Sequence, residues 1–207
     1  MKKCLSGFLI LCISAFISCK KKVDPVPVPS PNTITATYYI QATIAGTVKT
    51  FQRNVNGYLD GAGGSGTAGS NGSNQYSSSF AKYSLVNGVL AAANDNITIS
   101  LNLPVSTPIQ SDYDNFFVTG SKTYVATSDN LNGVFFDWMD ENGLMWSTTG
   151  GIQTASVFTI TGKGTDVVNS TSINWISATF NCTLYNGASS KTVTDGKLKV
   201  LILPFLP

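Results

Sequence analysis

The sequence predicts an all-β protein, an antiparallel β-sandwich of Greek-key or jelly-roll-like type with a closed β-barrel as the alternative. Three observations carry that prediction. Apolar and polar residues alternate with a period of two in segment after segment, the mark of half-buried strands. Turn-forming pairs punctuate these segments at Asn87-Gly88, Asn132-Gly133, Asn142-Gly143, Gly150-Gly151, Asn186-Gly187 and Asp195-Gly196. No stretch carries a convincing helical period, and roughly ten or more short strands imply a sandwich before they imply a barrel.

Taken in order, the first strand is read in ITATYYIQATI. There Ile34, Ala36, Tyr38, Ile40, Ala42 and Ile44 share one face, and Thr35, Thr37, Tyr39, Gln41 and Thr43 the other. Strands are expected at about 47–53, 77–86 and 88–93. In NITISLNL, Ile97, Ile99, Leu101 and Leu103 face one way and Asn96, Thr98, Ser100 and Asn102 the other. Further strands are expected at about 122–127, 133–139, 144–149, 155–162 and 196–203. In NWISATFNCTLY the run Ile176, Ala178, Phe180, Cys182, Leu184 forms the apolar face, so Cys182 points into the core as a small hydrophobe.

One stretch breaks the rhythm: DGAGGSGTAGSNGSNQYSSS, residues 60–79, holds six glycines and almost nothing apolar. It predicts a long loop inside the domain. Gly61, Gly63 and Gly66 stand at GxGxxG spacing, but no helix follows to turn its N-terminus on a phosphate, so the spacing does not indicate a nucleotide site.

The chain opens MKKCLSGFLILCISAFISCKKKVDPVPVPSPN. Charged residues, then an apolar run too short to span a bilayer, then small Ser18 before Cys19, read as a lipoprotein signal over 1–18 with Cys19 as the acylated residue. Lys20, Lys21 and Lys22 follow, then prolines at 25, 27, 29 and 31, which hold residues 19–32 as a semi-rigid tether reaching about 40 Å. Residues 33–207 are the folded domain. This reading places the protein in the cell envelope, lipid-anchored in the outer membrane, with its periplasmic or surface orientation open.

Composition excludes whole classes of chemistry. Residues 33–207 carry eight Lys and Arg against ten Asp and Glu, a net charge of −2 with no basic stripe, which makes a poor nucleic-acid surface. The chain contains no histidine, which removes Ser-His-Asp and Cys-His nucleophile pairs and every histidine-bearing metal site. Cys182 is the one cysteine in the domain, so the fold has no disulfide of its own.

The tether SCKKK with its prolines, the early IQATIAGTVKTF, the central YDNFFVTGSKTY and the closing ISATFNCTLYNGASSKTVTDGKLKV together resemble an uncharacterised family of secreted lipoproteins from Bacteroidota. The resemblance covers most of residues 33–203. It implies a β-sandwich-like domain on a lipid anchor and carries over no catalytic or binding residues.

Several side chains are candidates for chemistry. Asp112 and Asp114 in SDYDNFF, and Asp137, Asp140 and Glu141 in FFDWMDENG, supply the carboxylates a glycoside hydrolase needs across a scissile bond. Asp and Asn also belong in turns for backbone reasons. Asp112, Asp114, Asp137 and Asp140 are the oxygens a structural calcium would use, although neither run completes an EF-hand spacing, and no metal or other cofactor is assigned. Ser79-Phe80-Ala81-Lys82 and Ser128-Asp129-Asn130 imitate two penicillin-binding signatures without the third. Trp138, Trp146, Trp175 and Tyr185 are the candidate ligand-binding aromatics, able to stack on sugar rings if exposed. The competing reading makes them core, covered on both faces.

The expectation is a lipid-anchored envelope protein whose non-catalytic domain binds a ligand or contributes structure, with a glycan or an envelope protein as partner. The alternatives are a carbohydrate-binding surface module of a glycan-uptake system and a carboxylate-dependent glycoside hydrolase.

Overall fold

The computed structural model describes residues 32–63, 67–68, 73–86, 89–105, 108–125 and 133–204. The signal, Cys19, most of the tether and Ser128-Asp129-Asn130 lie outside the described residues. The elements are β1 (Tyr39–Ile44), β2 (Thr47–Gln52), β3 (Tyr58–Gly63), β4 (Thr67–Ala68), β5 (Ser73–Val86), β6 (Val89–Ala92), β7 (Asn96–Leu103), α1 (Gln110–Phe116), β8 (Gly120–Lys122), β9 (Gly133–Met139), β10 (Met145–Ser147), β11 (Val157–Val168), β12 (Thr171–Asn186) and β13 (Ser189–Ile202). A single 3-10 turn, Thr148–Gly150, follows β10.

The protein is mostly β, built on one large antiparallel sheet that does not close into a barrel. The main path runs β2-β1-β13-β12-β10-β9-β7-β5-β3, with β11 also on β12, β8 on β11, and β4 and β6 on β5. The ladder divides at β12. Its residues from Thr171 to Asn181 pair with β11, while its link to β10 is the single pair Tyr185 and Ser147.

The arms that part at β12 face each other over one core. Phe136 of β9 stacks on Phe180 of β12 with ring centroids 4.5 Å apart, and Phe158 of β11 lies 6.1 Å from Phe136. Phe51 of β2 meets Tyr58 of β3 edge to face at 5.3 Å. The alternation read in the sequence sets this core. Tyr38, Ile40, Ala42 and Ile44 are buried, as are Ile97, Ile99, Leu101 and Leu103, and Ile176, Ala178, Phe180, Cys182 and Leu184.

Tight turns keep the hairpins in register. Asn169 and Ser170, between β11 and β12, both take positive φ, 50° and 63°, the conformation of a two-residue type I′ connection. A bulge between Phe180 and Cys182 shifts the β12–β13 register, bringing Gly196 so close to Phe180 that an added Cβ would lie 2.5 Å from its carbonyl oxygen.

Three expectations need correction. Residues 110–116, turn-rich sequence with no legible helical period, form a helix. Ile109 is its N-cap, the Asp112 carboxylate accepts the Ile109 N–H at 3.0 Å, and Tyr113 and Phe116 are its buried side. Seven residues are too few to show a period, and their helix is held by packing. Tyr113 and Phe117 pack on Tyr76 of β5 with centroids 5.1 and 5.5 Å away. The second correction concerns residues 60–79. Tyr58–Gly63 and the strand beginning at Ser73 are paired, Gly61 opposite Ser79 and Gly63 opposite Ser77, and Thr67 and Ala68 pair with Asn74 and Ser73, so the described parts of that stretch are strand. Glycine and serine give no alternating signal, yet the ladder needs only their backbone. The third is the closed barrel, which does not form.

Candidate functional site

The four aromatic candidates do not assemble. Trp138 and Trp146 are directly opposed across β9 and β10 and both point inward, 3% and 7% exposed. Trp175 and Tyr185 lie half-buried on the other face of β12, ten residues apart, which is about 33 Å of strand. Tyr185 covers the glycine turn before β11: a Cβ at Gly151 would lie 2.6 Å from its ring, and its hydroxyl donates to the Ile152 carbonyl at 2.7 Å. For Trp138 and Trp146 the exposed sugar platform is therefore corrected to a core role. Tyr185 acts as a loop clamp.

The acids are spent on backbone. Asp140 is 4% exposed and organises the β9–β10 turn. Its carboxylate accepts from the Asn142 N–H at 2.9 Å, the Leu144 N–H at 3.0 Å and Trp146 Nε1 at 3.0 Å. Burial pushes its pKa up, but these three hydrogen bonds and nearby Lys191 prevail and hold it below the usual carboxylate range. Asp137 projects from the opposite face of β9, where burial raises its pKa against a hydrogen bond from Ser147.

Asp112 caps α1, and Asp114, two residues on, accepts from Gln110 at 3.0 Å. On a helix these two do not share a face. Among the described residues no three Asp, Glu or Cys side chains gather as metal ligands, so the four calcium candidates are not brought together. Ser79 and Lys82 lie on β5, not at the start of a helix, and point to opposite faces, with Lys82 Nζ 3.4 Å from Asp95. Cys182 is buried and its thiol is pushed up to about 12 by burial, as expected of an inert core residue.

What the structure adds is a cavity that sequence reading missed. Beyond residue 162, the β11–β12 hairpin runs past the facing arm, and α1 packs beneath it. The gap between them, about 260 Å³, is lined by Tyr113, Asp114, Phe117, Lys163, Thr165, Asn174 and Ile176, with Gly164 and Trp175 also on its wall.

By alternation Lys163, Thr165, Asn174 and Ile176 project toward α1, while the Trp175 ring lies on the opposite face. There it covers Gly164, whose absent side chain makes the room: a Cβ would lie 2.6 Å from the ring. Lys199 Nζ sits 4.2 Å from the Trp175 centroid on that outer face. Trp175 therefore bounds the cavity through its backbone, and its ring is sheltered between glycine and lysine.

Inside the cavity the polar groups form a chain. Thr165 Oγ1 donates to Asn174 Oδ1 at 3.2 Å, Asn174 Nδ2 donates to the Tyr113 hydroxyl at 2.9 Å, and that hydroxyl donates to the Leu203 carbonyl at 3.0 Å. Burial pushes the Tyr113 hydroxyl up to about 12, so it stays a protonated donor. Lys163 Nζ reaches the Asp114 carbonyl at 3.3 Å. Tyr113 was hidden from sequence reading because the helix carrying it was not legible, and Thr165 and Asn174 because threonine and asparagine are common on every strand here; Asp114 stands out in the sequence only as a carboxylate or calcium candidate.

No protein-family model, no curated protein and no solved structure matches this chain.

Proposed function

We propose that this is a lipid-anchored protein of the bacterial cell envelope, acylated at Cys19, whose domain is a non-catalytic β-sandwich serving as a binding or structural module. In this reading the divided ladder is a sandwich whose two layers meet at the Ser147–Tyr185 corner, and the chain is one of the secreted lipoproteins it resembles.

The observation that carries the anchor is the start of the fold. Buried Gln52 receives the Thr35 N–H at 2.6 Å and the Ala36 N–H at 3.0 Å on its side-chain oxygen, and donates from Nε2 to the Thr33 carbonyl at 2.8 Å. The described chain is therefore tied down from Thr33 onward, two residues after the last proline of the expected tether. The non-catalytic reading is supported by the carboxylates: Asp140 holds a turn, Asp112 caps a helix, and Glu141 is paired with Lys49, which lowers its pKa.

The test is expression of the full chain in a bacterium that acylates lipoproteins. Wild type should fractionate with membranes and carry acyl mass on Cys19, and Cys19→Ala should be released. Recovery of unacylated wild-type chain in the soluble fraction would sink the anchor.

A further inference from the structure

The cavity under the β11–β12 overhang has the make-up of a ligand site. Its floor is apolar: Phe117 is 3% exposed and Tyr113 4%, with Ile176 of the roof beside them at 2%. Its roof is polar, and the roof groups have capacity left. Asn174 Nδ2 carries a second hydrogen, Thr165 Oγ1 has lone pairs to accept with, and the Lys163 ammonium has further N–H donors beside the one on Asp114.

Donors and acceptors thus alternate along one wall, facing a flat hydrocarbon surface. The lining holds one cation, Lys163, and one carboxylate, Asp114, so it carries no net charge. Small-molecule sites are concave and mostly apolar with a few placed polar groups, commonly about 300 to 1,000 Å³. A volume of about 260 Å³ sits just below that range and suits a single ring rather than a chain.

We infer that this cavity is a binding site for one uncharged pyranose residue, whose hydroxyls each donate and accept and whose C–H face can lie on Phe117 and Tyr113. The inference rests on the reading of the domain as a non-catalytic binding module and gives that module its ligand class. Trp138, Trp146, Trp175 and Tyr185 take no part in it through their rings. The Thr165–Asn174–Tyr113 chain acts as a pre-ordered edge, because its members are already fixed to one another and to Leu203 before a ligand arrives.

The experiment is isothermal titration of the detergent-solubilised full chain with methyl glucoside, methyl galactoside and N-acetylglucosamine, with glycine and glucuronate alongside. Saturable heat is expected with at least one of the three neutral sugars. Thr165→Val, at an exposed strand position that tolerates the change, should weaken that sugar about tenfold. Thr179→Val, on the outer face of β12, should leave it unchanged.

Binding of glycine or glucuronate in place of the neutral sugars would overturn the ligand class. No heat with any probe, or an equal loss in Thr179→Val, would overturn the site. Acyl mass on Cys19, read from the same preparation, reports on the anchor independently, so either proposal can fail alone.

Discussion

Two regions of this domain each place a lysine ammonium over tryptophan, and they do opposite things with it. At the β9–β10 corner Lys191 Nζ lies 4.4 Å from the Trp146 centroid and 5.7 Å from that of Trp138, both rings inside the core. On the outer face Lys199 Nζ lies 4.2 Å from Trp175 and 5.6 Å from Tyr38. The first lysine closes the end of a core whose indole is tied to a buried carboxylate. The second shelters a ring that is only half-buried, at the edge of the core, and lies on a glycine. The same residue pair is structural in one place because the carboxylate of Asp140 anchors it, and a cover at the edge of the core in the other, where the ring lies on Gly164 and no carboxylate anchors its indole.

The comparison breaks most severely at Asp140. Asp140→Ala removes three hydrogen bonds and leaves Trp146 Nε1 buried without a partner, and should cost about 3 to 4 kcal/mol in urea unfolding. The pH dependence has a definite sign. Because the folded pKa of Asp140 is held low, its contribution is present above the unfolded carboxylate pKa and is lost as pH falls through the folded value. Stability of wild type should therefore fall toward acid more steeply than that of Asp140→Ala. Parallel curves would show that the turn does not depend on the ionised carboxylate.

The glycines sharpen the contrast. At Gly196 an added Cβ meets the Phe180 carbonyl at 2.5 Å, and backbone cannot step aside. Gly196→Ala should cost about 2 to 3 kcal/mol. At Gly164 the obstacle is the Trp175 ring at 2.6 Å, on a side chain that is only half-buried and can tilt. Gly164→Ala should cost about 1 kcal/mol and shift tryptophan fluorescence, which Gly196→Ala should not do through that ring. Equal costs would mean that Trp175 is as rigidly held as the core.

These regions also mark what the sequence could and could not disclose. Period-two alternation located the faces of β1, β7 and β12 and sent Cys182 inward, because one face of each strand is buried and the other is not. It could not decide Trp138, which sits on the same face as Phe136 and is core, against Trp175, which alternates out of the core and is still covered. Alternation gives the face, and what packs on that face is set by residues far away in the chain: Lys199, Tyr38 and the missing side chain of Gly164. The candidate cavity was less legible again. It depends on a seven-residue helix held by tertiary contacts and on a hairpin longer than its neighbours, and neither property has a local signature.

Asp137 gives a prediction of opposite sign to Asp140, three residues away on the outer side of β9–β10. Its pKa is raised, chiefly by burial, so folding favours the protonated form. That contribution is complete below the unfolded pKa and is lost as pH rises through the folded one. Asp137→Asn should therefore raise the neutral-pH melting temperature slightly and make no difference in acid. A lower melting temperature at neutral pH would mean that the Ser147 hydrogen bond to the ionised carboxylate outweighs its burial.

The smallest effect is expected at Tyr38, a buried ring whose hydroxyl reaches the outward Asp166. The Tyr38 hydroxyl donates to Asp166 Oδ2 at 2.6 Å, and this bond is the largest reason the Asp166 pKa lies below its ordinary value. Both partners of Tyr38, Asp166 and Lys199, occupy outward positions of their strands, so the start of the fold is laid across the same side as Trp175. Tyr38→Phe keeps the ring against Lys199 and deletes only the donor. The Asp166 carboxylate should then titrate nearer its usual range by NMR, while global stability barely changes because the acid is solvent-exposed and easily rehydrated. The Thr35 and Ala36 amides, held by Gln52 and not by Tyr38, should keep their protection from exchange. An unchanged Asp166 titration would remove Tyr38 from the outer face. Lost protection at Thr35 and Ala36 would show that Gln52 and Tyr38 hold the start of the described fold as one unit.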